Sequence, residues 1–496
     1  MTRFSRIFVS AVAASVLASP ISAQRSGGVI GGVVGGLGGA LGNTVGQVGG
    51  TVGKVGGLVG GTTGATLGGL GGGLSGLGYA AGGALGSGGL ITGSSGRTGS
   101  SSLSQRLIQN GFFASPAALN QVGGLYPSDS ASAQEIENFR QARLNALIAA
   151  NRNVLDRDPN GQPVRRRELI ATNPDAVSLA VAARAGFRIS GDELEPSLGM
   201  RMVTLTIPAS MNVRKALVAI RRAAPAMVVD FNHIYEPSGG VLLPVAGAVL
   251  ASSSRSIARP TRIAMIDGGV ASHPSLLRAS IEQQGFAGEA QPTGHGTAVG
   301  SLLVGDQGPF RGAARGAQLF VADVYGGNPA AGSTSSIVRA LSWAASKNPA
   351  VINISLVGPN NAALARAIGA VEARGIKVVA AVGNDGPAAP PQYPASYPGV
   401  VSVTGVDAQG KALPEASRAG HLDFAAPGAD MIAALPGQGF TVVRGTSFAA
   451  PLAAARLALT GSYERLAMEA RPGKGKVGRG IVCWQCRVDP GVVRRK

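Results

Sequence analysis

Four polar residues in the second half of this chain stand where an element ends or begins: Asp267 in RIAMIDGG, His295 in TGHGTAVG, Asn384 in VVAAVGNDG and Ser447 in RGTSFAAP. Each has an ordinary structural reading when taken alone. Asp and Asn are common where a strand gives way to a turn. Ser447, ahead of an Ala/Leu-rich run, suits a helix start, with Pro451 near the first turn, where a missing N–H costs little. His295 is harder to read as structural, because the glycines on either side leave its ring approachable. Together the four make a reactive set. A serine hydroxyl is a poor nucleophile until a base takes its proton, and an imidazole does this well when a carboxylate fixes its tautomer and stabilises its charged form. The oxyanion that follows needs donors. Ser447 offers its own N–H at the positive end of a helix, and Asn384 offers a side-chain amide.

Such a set works only if the chain holds its members rigidly, and the surrounding pattern shows how. RIAMID, QLFVADVY, AVINISLV, KVVAAVG and VVSVTGV are apolar strand runs rich in β-branched residues, while STSSIVRALSWAASK and NAALARAIGAVEARG between them have helical periodicity. Continuous apolar strands separated by helices imply an α/β fold with a doubly wound, mostly parallel sheet covered on both faces. Ligands bind such sheets beyond the carboxyl ends of the strands, where Asp267 and Asn384 stand.

Ahead of this unit, ELIAT, DAVSLAVAARAGF, MVTLTIP, NVRKALVAIRRAAP and MVVDF alternate strand with helix, the signature of a small α+β, ferredoxin-like domain of split βαβ type over residues 166–238. A helical connector is expected over 103–165, with AQEIENFRQARLNALIAANRNVL as its helix, and a Pro/Gly/Ser/Ala linker over 239–260. Residues 1–23 have the form of a secretory leader, with Arg3 and Arg6 before an apolar stretch and small residues for cleavage. The apolar stretch is shorter than the roughly 20 residues of a bilayer span. Residues 24–102 form a disordered Gly-rich arm, since glycine loses most entropy on ordering and buries no side chain; its small-residue spacing also suits helix packing in a membrane.

The chain has 496 residues, 76 of them glycine, and a formal charge of +18. That charge suits an anionic surface such as a cell envelope, but no motif points to specific nucleic-acid binding. Much of the excess lies in the basic tail, 483–496 and the residues just before it. Cys483 and Cys486 lack the further ligands a zinc site needs; in an oxidising compartment they form a small-loop disulfide.

The order Asp, His, Ser and the segments IDGGV, GHGTAVG, AAVGNDG and GTSFAAP resemble the subtilisin family of serine endopeptidases, over a stretch of 261–482. The resemblance implies that Asp267, His295 and Ser447 form the triad, that Asn384 is an oxyanion donor, and that the reaction is peptide-bond hydrolysis through an acyl-enzyme. It further implies that Ser355, Leu356 and Val357 lie along a substrate cleft, with Ala380, Ala381 and Val382 on the other wall of the primary pocket. Val357 stands where the family usually has glycine, which would narrow that pocket, and Gly268 where it usually has Ser or Thr. The small α+β domain corresponds to an inhibitory propeptide whose end, FNHIYEPSGG, would lie in the cleft until self-cleavage between about Tyr235 and Arg259. No cofactor is needed for this chemistry. Structural calcium is frequent in the family, but no ligand set here assigns it. The expected setting is outside the cytoplasm: extracellular, periplasmic or at the cell envelope. The competing expectation is an envelope-associated interaction protein whose protease domain is degenerate or cuts only itself.

Overall fold

The computed structural model describes residues 132–238, 240–245, 260–437 and 439–494. The leader, the Gly-rich arm, the first part of the connector and linker residues 246–259 lie outside the described residues.

The chain enters through α1 (Ala133–Ala150), which starts in a capping box: Ser132 Oγ accepts from Glu135 N–H while Glu135 reaches back to the Ser132 N–H. Five strands follow, β1 (Leu155–Arg157), β2 (Pro163–Thr172), β3 (Arg188–Glu195), β4 (Met200–Thr206) and β5 (Val228–His233), with α2 (Ala176–Arg184) and α3 (Val213–Ala223) between them. The sheet is antiparallel: β2 pairs with β1, β4 and β5, and β3 lies outside β4. β3 was not foreseen, because RISGDELE is a largely exposed edge strand without an apolar run.

Both faces of this small sheet are covered, so its central strands are apolar at successive positions. In β4, Val203 and Leu205 join Leu169 and Phe231 against α2 and α3. Met200 and Met202 turn the other way and pack with residues of α5 (Thr334–Ser346) and α6 (Ala362–Ala373) of the following domain. Since successive strand residues face opposite sides, one run of sequence serves both a core and an interface. The interface also caps the helices it covers. Asp230 Oδ2 accepts from Ala362 N–H at 3.0 Å, and Asn232 Oδ1 accepts from Ser335 N–H at 3.2 Å, meeting N–H groups that have no partner within their helices.

After β6 (Glu236–Pro237) and β7 (Gly240–Val245), the second domain builds on β8 (Arg262–Asp267), β9 (Ser280–Gly285), the two-residue strands β10 (Asp306–Gln307) and β11 (Phe310–Arg311), β12 (Gln318–Asp323), β13 (Val351–Ile354), β14 (Leu356–Val357), β15 (Lys377–Ala381), β16 (Val401–Val406), β17 (Phe424–Pro427), β18 (Met431–Ala434) and β19 (Phe440–Arg444). Seven of these form one sheet in the order β17-β16-β15-β13-β8-β12-β9, and every pairing in it is parallel. This is the doubly wound α/β sheet read from the alternation of strands and helices. α5 and α6 cover one face; α4 (Gly294–Val304) and α7 (Thr446–Thr460) cover the other. α7 is mostly Ala and Leu on its buried side, and its many alanines let it lie close against the middle strands. α8 (Tyr463–Met468) and the short α9 (Gly491–Arg494) complete the chain. Cys483 and Cys486 are bridged, with Cα atoms 5.2 Å apart.

Candidate active site

Asp267 is the last residue of β8, a central strand, and its side chain is wholly buried. Its Oδ1 accepts from Gly268 N–H at 2.7 Å and lies 2.8 Å from His295 Nδ1. Oδ2 is buried without a hydrogen-bond partner. The glycine at 268 has a local cause. A Cβ there would lie 2.3 Å from Thr293 Oγ1, and that hydroxyl is already engaged as the N-cap of α4, accepting from Gly296 N–H at 2.9 Å. The cap holds the helix start on which His295 stands. Phe448 packs against the imidazole, with ring centroids 5.3 Å apart, and His295 Nε2 lies 2.9 Å from Ser447 Oγ. Asp267, His295 and Ser447 therefore form one continuous hydrogen-bonded line.

Ser447 is the second residue of α7, entered through Gly445 at φ 138°, a backbone geometry that glycine adopts without strain. Pro451, read from the sequence as near the first turn, lies inside the helix. It therefore removes the N–H that would bond the carbonyl four residues earlier, which is that of Ser447. Ser355 replaces it: its Oγ donates to Ser447 O at 2.8 Å and is itself held by Asn353 Nδ2 at 3.0 Å. A side chain from the cleft strand thus fixes the backbone of the serine.

Asn384 follows β15. Its Oδ1 accepts from Thr446 N–H at 3.0 Å, while its Nδ2 is buried with no partner. A buried amide donor left open costs about 1–3 kcal/mol, and Nδ2 remains unpaired in the uncut chain even with a carbonyl oxygen at Ser447 N–H.

The cleft holds the protein's own chain. Tyr235 N–H donates to Gly332 O at 2.7 Å, β6 pairs antiparallel with β14 (Pro237 opposite Leu356, Glu236 opposite Val357), and Ser238 N–H donates to Ser355 O at 3.1 Å. Tyr235 is fully buried, and its hydroxyl donates to Pro359 O at 2.7 Å. Ser238 O accepts from Ser447 N–H at 3.3 Å. Beyond it, β7 pairs with β19, Gly240 opposite Arg444. The segment is thus strand-paired on both sides of Ser447.

Ser355, Leu356 and Val357 lie along this segment. The side chains expected on the opposite wall point into the two cores. Ala380 and Val382 belong to the core under α5 and α6, and Ala381 to the core under α7, since neighbouring residues of extended chain alternate between the two faces of the sheet. Gly383, one position further, faces Val357: a Cβ added there would lie 3.3 Å from Val357 Cγ1 and 3.1 Å from Ser417 Oγ. The Val357 side chain thus stands close to Gly383, opposite Glu236 of the segment in the cleft.

One part of the site was not visible in the sequence. Arg143 of α1 donates from one nitrogen, Nη2, to Asp385 Oδ1 at 2.9 Å and to Glu236 Oε2 at 3.3 Å. Burial alone would lower its pKa, but the two carboxylates outweigh burial and hold it above its ordinary value. Arg143 and Asp385 are 242 positions apart, and no local pattern links residues so distant. Among the described residues no three His, Cys, Asp or Glu side chains gather as a metal site.

Residues 259–471 match the subtilase family. Subtilisin Savinase of Lederbergia lenta is 32% identical over 203 residues, covering 40% of this chain and 75% of that protein. The alkaline protease of Alkalihalobacillus alcalophilus is 32% identical over 203 residues, and there the match spans only 53% of the relative's length. Among solved structures, fervidolysin from Fervidobacterium pennivorans shares the fold, with a TM-score of 0.53 at 18% identity over 65% of this chain and 61% of that one. Fold and relatives together define a serine endopeptidase. The chain belongs to the subtilase family.

Proposed function

We propose that the chain is an exported zymogen that cuts its own Ser238–Gly239 bond and then acts as an endopeptidase on other proteins. The observation that carries this reading is the position of Ser238 O, 3.3 Å from Ser447 N–H, while Ser447 Oγ lies 2.9 Å from His295 Nε2. In this reading Ser447 Oγ attacks the Ser238 carbonyl carbon and His295 Nε2 takes the hydroxyl proton. Asp267 holds Nδ1–H and stabilises the imidazolium. The carbonyl oxygen becomes an oxyanion between Ser447 N–H and Asn384 Nδ2. His295 then gives its proton to the Gly239 nitrogen, which leaves, and water releases Ser238 from the acyl-enzyme by the same steps. The domain formed by α1–α3 and β1–β5 acts as the intramolecular inhibitor, since it ends in the strand that fills the cleft. Export rests on the leader-like residues 1–23, and attraction to an anionic envelope rests on the net charge of +18.

The experiment compares the full chain with its Ser447→Ala form by mass spectrometry. A new N-terminus at Gly239 in the first and none in the second is expected. Identical uncut species in both would remove the self-cleavage reading.

A further inference from the structure

Arg143, Glu236 and Asp385 meet beside the cleft, but they belong to different sides of the Ser238–Gly239 bond. Arg143 and Glu236 precede it; Asp385 follows it. One guanidinium nitrogen touches both carboxylates, and the three side chains are only 16%, 17% and 7% exposed. Asp385 stands next to Asn384, and its backbone N–H donates to Ser417 Oγ at 2.9 Å, so it is held on the same turn as the open amide donor. Its carboxylate has Arg143 as its one hydrogen-bond partner among the described residues. Glu236 is the third residue back from the bond, paired with Val357. An acidic side chain in that place sits beside a second carboxylate only because a cation from α1 lies between them.

Loss of the N-terminal fragment would take away both Arg143 and Glu236 and leave the Asp385 carboxylate, at the edge of the cleft, without the cation that now pairs with it. The side chain that can replace that cation belongs to the incoming substrate. At the third residue back, Lys carries its charge one bond further from Cα than Glu does, and Arg two bonds further. Either therefore extends from the position of the Glu236 carboxylate toward Asp385, through the space Arg143 now fills. We propose that Asp385 selects substrates with Lys or Arg at the third residue before the cleaved bond, and that Arg143 occupies this cation site in the precursor. This deepens the self-processing endopeptidase reading and rests on it.

Two measurements test it. In the first, the processed enzyme and its Asp385→Asn form are given peptides built on Tyr-Xaa-Pro-Ser followed by Gly, with Xaa as Lys, Arg, Gln or Glu. The Lys peptide should exceed the Glu peptide in kcat/KM by about tenfold at low salt, the scale of one partly screened attraction exchanged for a repulsion. The advantage should shrink with added salt and fall to within about twofold in Asp385→Asn. Taking the ratio within each enzyme removes any loss common to all peptides, such as a disturbed Asn384. Failure to cut even the Gln peptide would sink the endopeptidase reading, whereas cutting with a Lys/Glu ratio indifferent to Asp385→Asn would sink this one. The second measurement needs no activity. In the uncut Ser447→Ala chain, Arg143→Gln should lower the unfolding midpoint, Glu236→Lys added to it should restore most of the loss, and Asp385→Asn added to both should abolish the restoration. No recovery on adding Glu236→Lys would overturn the proposal.

Discussion

Removing the Ser355 hydroxyl should unseat the backbone of the nucleophile, and returning an amide proton at position 451 should recover part of the loss. Ser447 O accepts from Ser355 Oγ at 2.8 Å because Pro451, inside α7, has no N–H to give. Ser355→Ala leaves that carbonyl unpaired and also orphans Asn353 Nδ2, which now donates to Ser355 Oγ at 3.0 Å. At about 1–3 kcal/mol for each buried group left without a partner, the loss is about 2–6 kcal/mol, half of it belonging to the carbonyl. Pro451→Ala restores an N–H in helical register with that carbonyl. In the Ser355→Ala background it should therefore stabilise by about 1–3 kcal/mol more than it does alone. The assay is urea unfolding of the four members of the cycle, each held uncut by Ser447→Ala, which leaves the backbone carbonyl in place. A coupling below about 0.5 kcal/mol, the scatter of independent sites, would show that Ser355 and position 451 do not share the Ser447 carbonyl, and the reasoning would fall.

Asn384→Ala should lower kcat by about 10²–10³, or about 2.7–4 kcal/mol, with KM little changed; that range comes from the equivalent donor in subtilisin and is carried over to this chain. Stopped assays on the processed enzyme check it, and a kcat within threefold of the parent would remove Asn384 from the oxyanion site. His273 supplies a pH dependence. Ser275 N–H donates to its Nδ1 at 3.1 Å, so Nε2 carries the proton and meets Gly439 O at 2.9 Å. Burial pushes its pKa below the ordinary 6.5, despite the Gly439 carbonyl. The folded chain then binds fewer protons than the unfolded one, so this contribution is present above pH 6.5 and is lost as pH falls toward the lowered value. His273→Gln should flatten that part of the stability–pH curve of the uncut chain, and an unchanged slope would refute the assignment.

Residues Asp267, His295, Asn384 and Ser447 were legible because glycine-marked element ends follow or precede apolar runs of clear period. β8, β12, β13, β15 and β16 were legible for the same reason: buried on both faces, they are continuous in β-branched and small apolar residues. β9, SIEQQG, escaped notice because it is an edge strand with one covered face. The alternation of Ala380, Ala381 and Val382 between two cores follows the pleat, which a motif read along the chain does not show. From the sequence the proposed self-cleavage is confined only to a stretch from about Tyr235 to Arg259, since which carbonyl lies at Ser447 depends on the register of β6 against β14, which pairing alone decides. Arg143 had no signal at all: a lone Arg on a helix usually faces water, and this one is defined by carboxylates contributed from two distant segments.

In the proposed zymogen the inhibitor is part of the same molecule, with residues 235–238 hydrogen-bonded in the cleft. Joined this way, the segment competes with any substrate at an effective concentration in the millimolar range for a short tether, and no dilution weakens it. Cutting the Ser238–Gly239 bond would remove no strand contact at that instant, but it turns a one-body equilibrium into a two-body one. Proteolytic output would then depend on how thinly the protein is spread: a crowded compartment keeps it silent after cleavage, and dispersal releases it.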